Sequence, residues 1–186
     1  LSYRFIGTVL AVVIPVAAIF LTIVVQPDQK LIANYQQERI LSWLEPEKYA
    51  TDGAYQQLNS VMAIGSGQLT GKGLNNNAVA SVKNADYIVE PQTDFIFAVA
   101  GEELGFLGTA AIILLLLLIV IEIIMIGRNA KDMAGNLICC GVASWIGFQS
   151  FINICVATGL MPNTGVPLPF VSYGLTSLAS LYIAIG

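Results

Sequence analysis

Thr93-Asp94-Phe95-Ile96-Phe97-Ala98-Val99-Ala100-Gly101-Glu102-Glu103-Leu104-Gly105-Phe106-Leu107-Gly108 is the stretch on which the fold turns. Its three carboxylates stand at the mouth of an apolar run that continues to Ile126. Charged groups at a bilayer edge are costly, so they are functional candidates by default. Asp94 comes first, where a polar loop meets the apolar segment, and is the leading candidate.

The rest of the chain fits a membrane setting. Apolar residues make up 56% and charged residues 11% of the sequence, against about a quarter charged in a soluble domain. Mean hydropathy is +0.75. These values predict an integral membrane protein. The net charge of -4 without histidine argues against nucleic-acid binding, which needs a basic face. It also argues against zinc chemistry. Cys139, Cys140 and Cys155 lie in apolar stretches and read as small buried hydrophobes. With no initiator methionine and an apolar segment at its end, the chain reads as a piece of a longer polytopic protein.

Apolar runs of roughly 20 residues can cross a bilayer. They predict spans over 5–25, with Pro15 near the middle, over 94–126 and over 133–158. A further span starts at 175–186. The long polar segment 26–93 is too long for a plain connector, and such loops are usually functional. Within it, Gln29 to Leu44 reads as an interfacial helix and Tyr55 to Ile64 as a second short one. Arg4, Arg128 and Lys131 placed inside satisfy the positive-inside tendency. The long loop and the connector 159–174 then share the outer side. The expected fold class is an all-α polytopic membrane protein, a transmembrane helix bundle with a long extracytoplasmic loop.

On a straight helix begun at Asp94, Ala98, Gly101, Gly105 and Gly108 fall within roughly 40° of the carboxylate. Such a small-residue stripe lets another helix approach closely. It turns Asp94 toward a protein crevice, although a helix N-cap is the plainer use of an aspartate. Glu102 lies about 80° and Glu103 about 180° from Asp94. Glu102 is therefore placed to support a site, and Glu103 to meet a partner on another helix or an aqueous crevice.

Gly65-Ser66-Gly67-Gln68-Leu69-Thr70-Gly71-Lys72-Gly73 fails the nucleotide P-loop pattern, since Gly73 follows the lysine. Its glycine spacing still allows backbone N–H groups to converge on an anion, with Lys72 as a point charge. The plainer reading is a flexible turn. Gly159 to Gly174 is apolar yet full of helix breakers. Near membrane depth such backbone is buried in protein or lines a cavity.

Three ordered motifs resemble the SEDS proteins, the FtsW/RodA/SpoVE group. Tyr55-Gln56 to Ser60, Ala63 to Gly67 and Gly71-Lys72-Gly73 look like that family's outer loop. Thr93 to Ala98 with Glu102 to Phe106 looks like its signature segment. Pro162, Thr164-Gly165, Pro167 to Phe170 and Ser172-Tyr173-Gly174 look like its closing motif. Gln37 to Ile40 agrees more weakly. Ile88-Val89-Glu90-Pro91-Gln92 stands where the family often has Leu-Pro-Glu, one residue, then His.

The resemblance implies a multi-pass enzyme of the bacterial cytoplasmic membrane, of which this chain is roughly the C-terminal half. It implies a peptidoglycan glycosyltransferase polymerising lipid II into glycan strands during division, elongation or sporulation. Asp94 matches the family's essential outer-loop aspartate, with the expected role of general base. Lys72, Arg39, Gly71, Gly73, Glu102 and Ser172 are the substrate-binding candidates. A divalent cation, Mg or Mn, is a further candidate for the diphosphate. Implied partners are lipid II, membrane lipids and a class B penicillin-binding protein. The competing readings are a flippase for lipid-linked precursors and a non-catalytic scaffold for a cell-wall transpeptidase.

Overall fold

The computed structural model describes residues 3–24, 33–49, 54–73 and 93–186. Residues 74–92, with the variant stretch Ile88 to Gln92, and the first turn of the expected interfacial helix lie outside them. Six helices are described: α1 (Tyr3–Val24), α2 (Asn34–Leu44), α3 (Tyr55–Ser66), α4 (Ile96–Arg128), α5 (Met133–Ala157) and α6 (Leu175–Ile185). No strand occurs among the described residues. The chain is an all-α membrane protein.

Helices α4 and α5 form an antiparallel hairpin around the short turn 129–132. Asp132 caps α5, its carboxylate accepting the Gly135 N–H at 3.3 Å; an N-cap of this kind satisfies one of the helix's orphan donors. Both helices are long and apolar enough to cross a bilayer, and their most apolar windows are only 11% and 22% buried. That inverts the pattern of a soluble core helix. Leu114, Leu115, Leu117 and Leu118 all present their side chains outward. Cys155 is buried, but Cys139 is only partly so and Cys140 is exposed, contrary to a uniform reading of the cysteines.

The 94–126 span departs from expectation in two ways. Helical geometry starts at Ile96, with Phe95 at the N-cap, so Asp94 sits in the preceding turn. The helix is also broken at Gly105, where φ is +67° and ψ −164°. This backbone region is essentially glycine-only. The break leaves a short outer piece before Gly105 and a piece after it about 35 Å long at 1.5 Å per residue. The second piece alone matches a hydrocarbon core of about 30 Å.

The core sits at one end of the hairpin. Ala63 of α3, Phe95, Ala98 of α4 and Val156 of α5 form one buried cluster. Phe97, Leu116, Ala157 and Leu168 form another. Burying Phe95 contributes roughly 1.5–3 kcal/mol and anchors the turn that carries Asp94. The Asp94 turn, α3, the end of α5 and the connector after it are thus packed together.

Candidate active site

Asp94 is held by its own backbone. The Thr93 carbonyl accepts a hydrogen bond from the Ser172 hydroxyl at 2.6 Å. The Asp94 carbonyl accepts one from the Asn153 amide at 2.8 Å. The half-buried carboxylate lies against the connector: a Cβ built on Gly165 would stand 3.5 Å from Asp94 Oδ2. Gly165 has φ +68°, a left-handed conformation that glycine adopts without penalty.

The connector has almost no regular structure, so its carbonyls need partners from elsewhere. Side chains of α2, α3 and α5 supply them, and also serve the carbonyls of Val156 and Ala157 at the end of α5. Gln57 Nε2 donates to the carbonyls of Val156 at 2.9 Å and Met161 at 2.6 Å. Ser60 donates to Ala157 at 2.7 Å, and the Trp43 indole to Gly159 at 2.9 Å. Gln149 donates to Pro167 at 3.1 Å, and Asn153 to Val166 at 2.7 Å. Arg39 Nη1 reaches the Asn163 carbonyl at 3.3 Å. Asn153, Gln57, Ser60, Trp43 and Gln149 are not among the candidates from sequence. Asn153 has a local signal, an amide between Ile152 and Ile154, whereas Gln57 and Ser60 lie in a polar run with Gln56 and Asn59; nothing local says which carbonyl each one meets.

The glycine-rich loop has a different role from an open anion cradle. The helix break leaves the Glu102 and Glu103 carbonyls and the Phe106 and Leu107 amides without helical partners, as at any helix end. The loop satisfies all four. Lys72 N donates to Glu102 O at 2.9 Å and Gly73 N to Glu103 O at 3.0 Å. Phe106 N donates to Gln68 O at 2.8 Å and Leu107 N to Leu69 O at 3.2 Å. Gly71 N is bonded to Gly67 O at 2.8 Å. The amides of Gly71, Lys72 and Gly73 therefore point at carbonyls rather than converge on a ligand. The fit is close: a Cβ on Gly67 would strike the Gly101 carbonyl oxygen, and one on Gly71 that of Glu103. The small-residue stripe of α4 accordingly receives the end of α3 and this loop.

The same loop carries a charge pair. Lys72 Nζ lies 2.8 Å from Glu102 Oε1, with the Glu102 side chain 2% exposed and that of Lys72 29%. Glu102 thus neutralises Lys72 beside the break. Arg39 is exposed and lines an open groove of about 560 Å³ with Tyr35, Gln36, Ile40, Pro162, Asn163 and Thr164. That groove runs along the connector just before Gly165, so Arg39 and Asp94 approach the same loop. Ser172 is buried; its hydroxyl donates to Thr93 O and accepts from Leu168 N at 2.7 Å. It acts on the protein's own backbone.

A divalent cation finds no ready cage here. Among the described residues no group of three or more histidine, cysteine or acidic side chains is placed to hold a metal. Glu102 is turned to Lys72.

The comparisons with known proteins agree along the whole chain. The FTSW_RODA_SPOVE family model, described as "Cell cycle protein", matches residues 3–186. The chain is 40% identical over 174 residues to the probable peptidoglycan glycosyltransferase FtsW of Idiomarina loihiensis, covering 92% of this chain and 40% of that protein. It is 42% identical over 156 residues to the stage V sporulation protein E of Bacillus subtilis, covering 84% and 42%. It therefore spans about two fifths of the length of these relatives. In fold it is similar to a chain of a solved peptidoglycan synthase complex, with a TM-score of 0.69 at 24% identity over 98% of this chain and 47% of that one. The chain belongs to the FtsW/RodA/SpoVE family of membrane proteins.

Proposed function

We propose that the protein containing this chain is a peptidoglycan glycosyltransferase that polymerises lipid II, with Asp94 as general base. The observation that carries this reading is the Asp94 carboxylate. Its backbone is pinned at the Thr93 and Asp94 carbonyls, and it faces a connector whose groove holds an exposed arginine.

In the proposed reaction the sugar 4-hydroxyl of one lipid-linked disaccharide attacks the anomeric carbon at the end of the other chain. Asp94 takes the hydroxyl proton as the new C–O bond forms. The bond from the anomeric carbon to the phosphate oxygen breaks, and undecaprenyl diphosphate leaves with that electron pair. A positioned base contributes about 10²- to 10⁴-fold. Arg39 offers a planar fork suited to diphosphate oxygens. The protein lies in the bacterial cytoplasmic membrane as a multi-pass chain, the Asp94 end of the hairpin outward. A class B penicillin-binding protein is its partner.

The test uses the full-length protein with that partner, purified as wild type and as Asp94→Asn with equal folding and binding. Lipid II is supplied and glycan strands are measured. Glycan from wild type but not from the variant supports the reading. Glycan from both removes the base role from Asp94. Glycan from neither turns the reading toward transport or scaffolding.

A further inference from the structure

Two buried side chains from different elements grip consecutive carbonyls around Asp94. Asn153 comes from α5 and is 1% exposed; Ser172 comes from the connector and is 2% exposed. Ser172 Oγ donates to Thr93 O and Asn153 Nδ2 to Asp94 O. These carbonyls lie on either side of the Asp94 Cα, so together they fix the direction in which its side chain leaves the backbone.

Each grip is costly to maintain. Asn153 Nδ2 also donates to Val166 O at 2.7 Å, and Asn153 Oδ1 is buried with no hydrogen-bond partner among the described residues. Such an orphan acceptor is rare in folded proteins and persists for a reason. An apolar side chain would avoid the orphan but could not hold the two carbonyls. Ser172 is delivered by a turn in which Phe170 has φ +63°. A bulky residue in the left-handed region persists only where its surroundings over-determine it. Here Ser172 N and Val171 N both return to Leu168 O, and Ser172 Oγ accepts from Leu168 N.

We propose that Asn153 and Ser172 are positioning residues that set the aim of the Asp94 carboxylate against the connector. The role rests on the reading of Asp94 as the base. Asn153 grips Asp94 O and Val166 O with one amide group, and Val166 follows Gly165, the residue facing Asp94 Oδ2. One amide group therefore ties the Asp94 backbone to the stretch of connector that faces its carboxylate. Ser172 stops the preceding peptide from rotating.

The experiment is lipid II polymerisation by the full-length protein with its partner, comparing wild type, Asn153→Ala, Ser172→Ala and Ser172→Thr. Monodispersity and melting temperature establish folding. Misplacing a catalytic group by about 1 Å costs on the order of 100-fold in rate. The expected result for both alanine variants is a fall in kcat of about 10- to 100-fold. KM for lipid II stays within about twofold, as expected when only the aim of the base is lost. Ser172→Thr, which keeps the hydroxyl, recovers most of the rate. Wild-type kcat in both alanine variants overturns the proposal. So does a loss that falls on KM alone, or a threonine variant no better than alanine. If neither alanine variant folds, the pair is structural and the positioning role is overturned. A wild type that makes no glycan is a different result: it removes the reading of Asp94 as base, and the proposal with it.

Discussion

The Lys72 ammonium lies 2.8 Å from the Glu102 carboxylate, joining a loop to a membrane helix across 30 residues of sequence. Removing one partner of a fully buried ion pair costs about 3–5 kcal/mol, and less where, as here, the lysine side chain is 29% exposed. Lys72→Ala should therefore lower the melting temperature of the detergent-purified protein clearly. Lys72→Met combined with Glu102→Gln should recover part of the loss. A Lys72→Ala protein of unchanged stability with a raised KM for lipid II would return Lys72 to substrate binding.

Gly105 is the second place where loop and helix are locked together. Alanine there meets about 1–3 kcal/mol of backbone strain, and its Cβ would also strike the Gly71 amide nitrogen. Gly105→Ala should loosen the loop. Hydrogen exchange at the amides of Lys72, Gly73, Phe106 and Leu107 should speed up together, because all four are bonded across the break. Unchanged exchange at these amides would count against the coupling.

The long helices α4 and α5 are legible in the sequence because a long uninterrupted apolar run has few stable homes outside a bilayer. Asp94 is legible because a carboxylate at the edge of such a run is conspicuous. Gly105 is not. A glycine in a small-residue stripe looks the same whether it packs a helix or breaks one, and a wheel drawn from Asp94 assumes the first. The Lys72–Glu102 pair is hidden for another reason. Each residue is a candidate alone, but nothing local indicates that they meet. Asn153 and Gln57 show a third limit. Asn153 is visible as an amide between Ile152 and Ile154 and Gln57 is one of several amides in a polar run, but the carbonyls they serve are in place only once the connector has folded.

Arg39 bonds the connector carbonyl of Asn163 and lines the open groove beside it. Arg39→Ala should raise KM for lipid II more than it lowers kcat. Arg39→Lys should fall between, since lysine keeps the charge but loses the two-pronged geometry. Steady-state kinetics over a lipid II series checks both.

Gly165→Ala would hold a methyl group 3.5 Å from Asp94 Oδ2. That is ordinary contact, so the strain is confined to the backbone, about 1–2 kcal/mol for the left-handed conformation. Polymerisation should drop more than stability does, since the methyl partly covers the face of the carboxylate. Equal rates for the two proteins would show that an incoming hydroxyl approaches from another side.

Gln57→Leu removes the donor shared by the Val156 and Met161 carbonyls. Val156 O keeps the Gly159 N–H at 3.1 Å, so the loss falls on the two Gln57 bonds themselves, each worth about 0.5–1.5 kcal/mol. The melting temperature should fall by more than it does for Ser66→Ala, where the lost hydroxyl bond stays within one helical turn.

The grip on Asp94 also dictates when the carboxylate is set during synthesis. Asn153 follows Asp94 by 59 residues, and Ser172 follows Thr93 by 79. At about 5–20 residues per second, the second interval takes roughly 4–16 s of translation. Throughout that interval the acid has been made and the residues that aim it have not all followed. A ribosome stalled before Ser172 leaves a chain with the acid and without its aim.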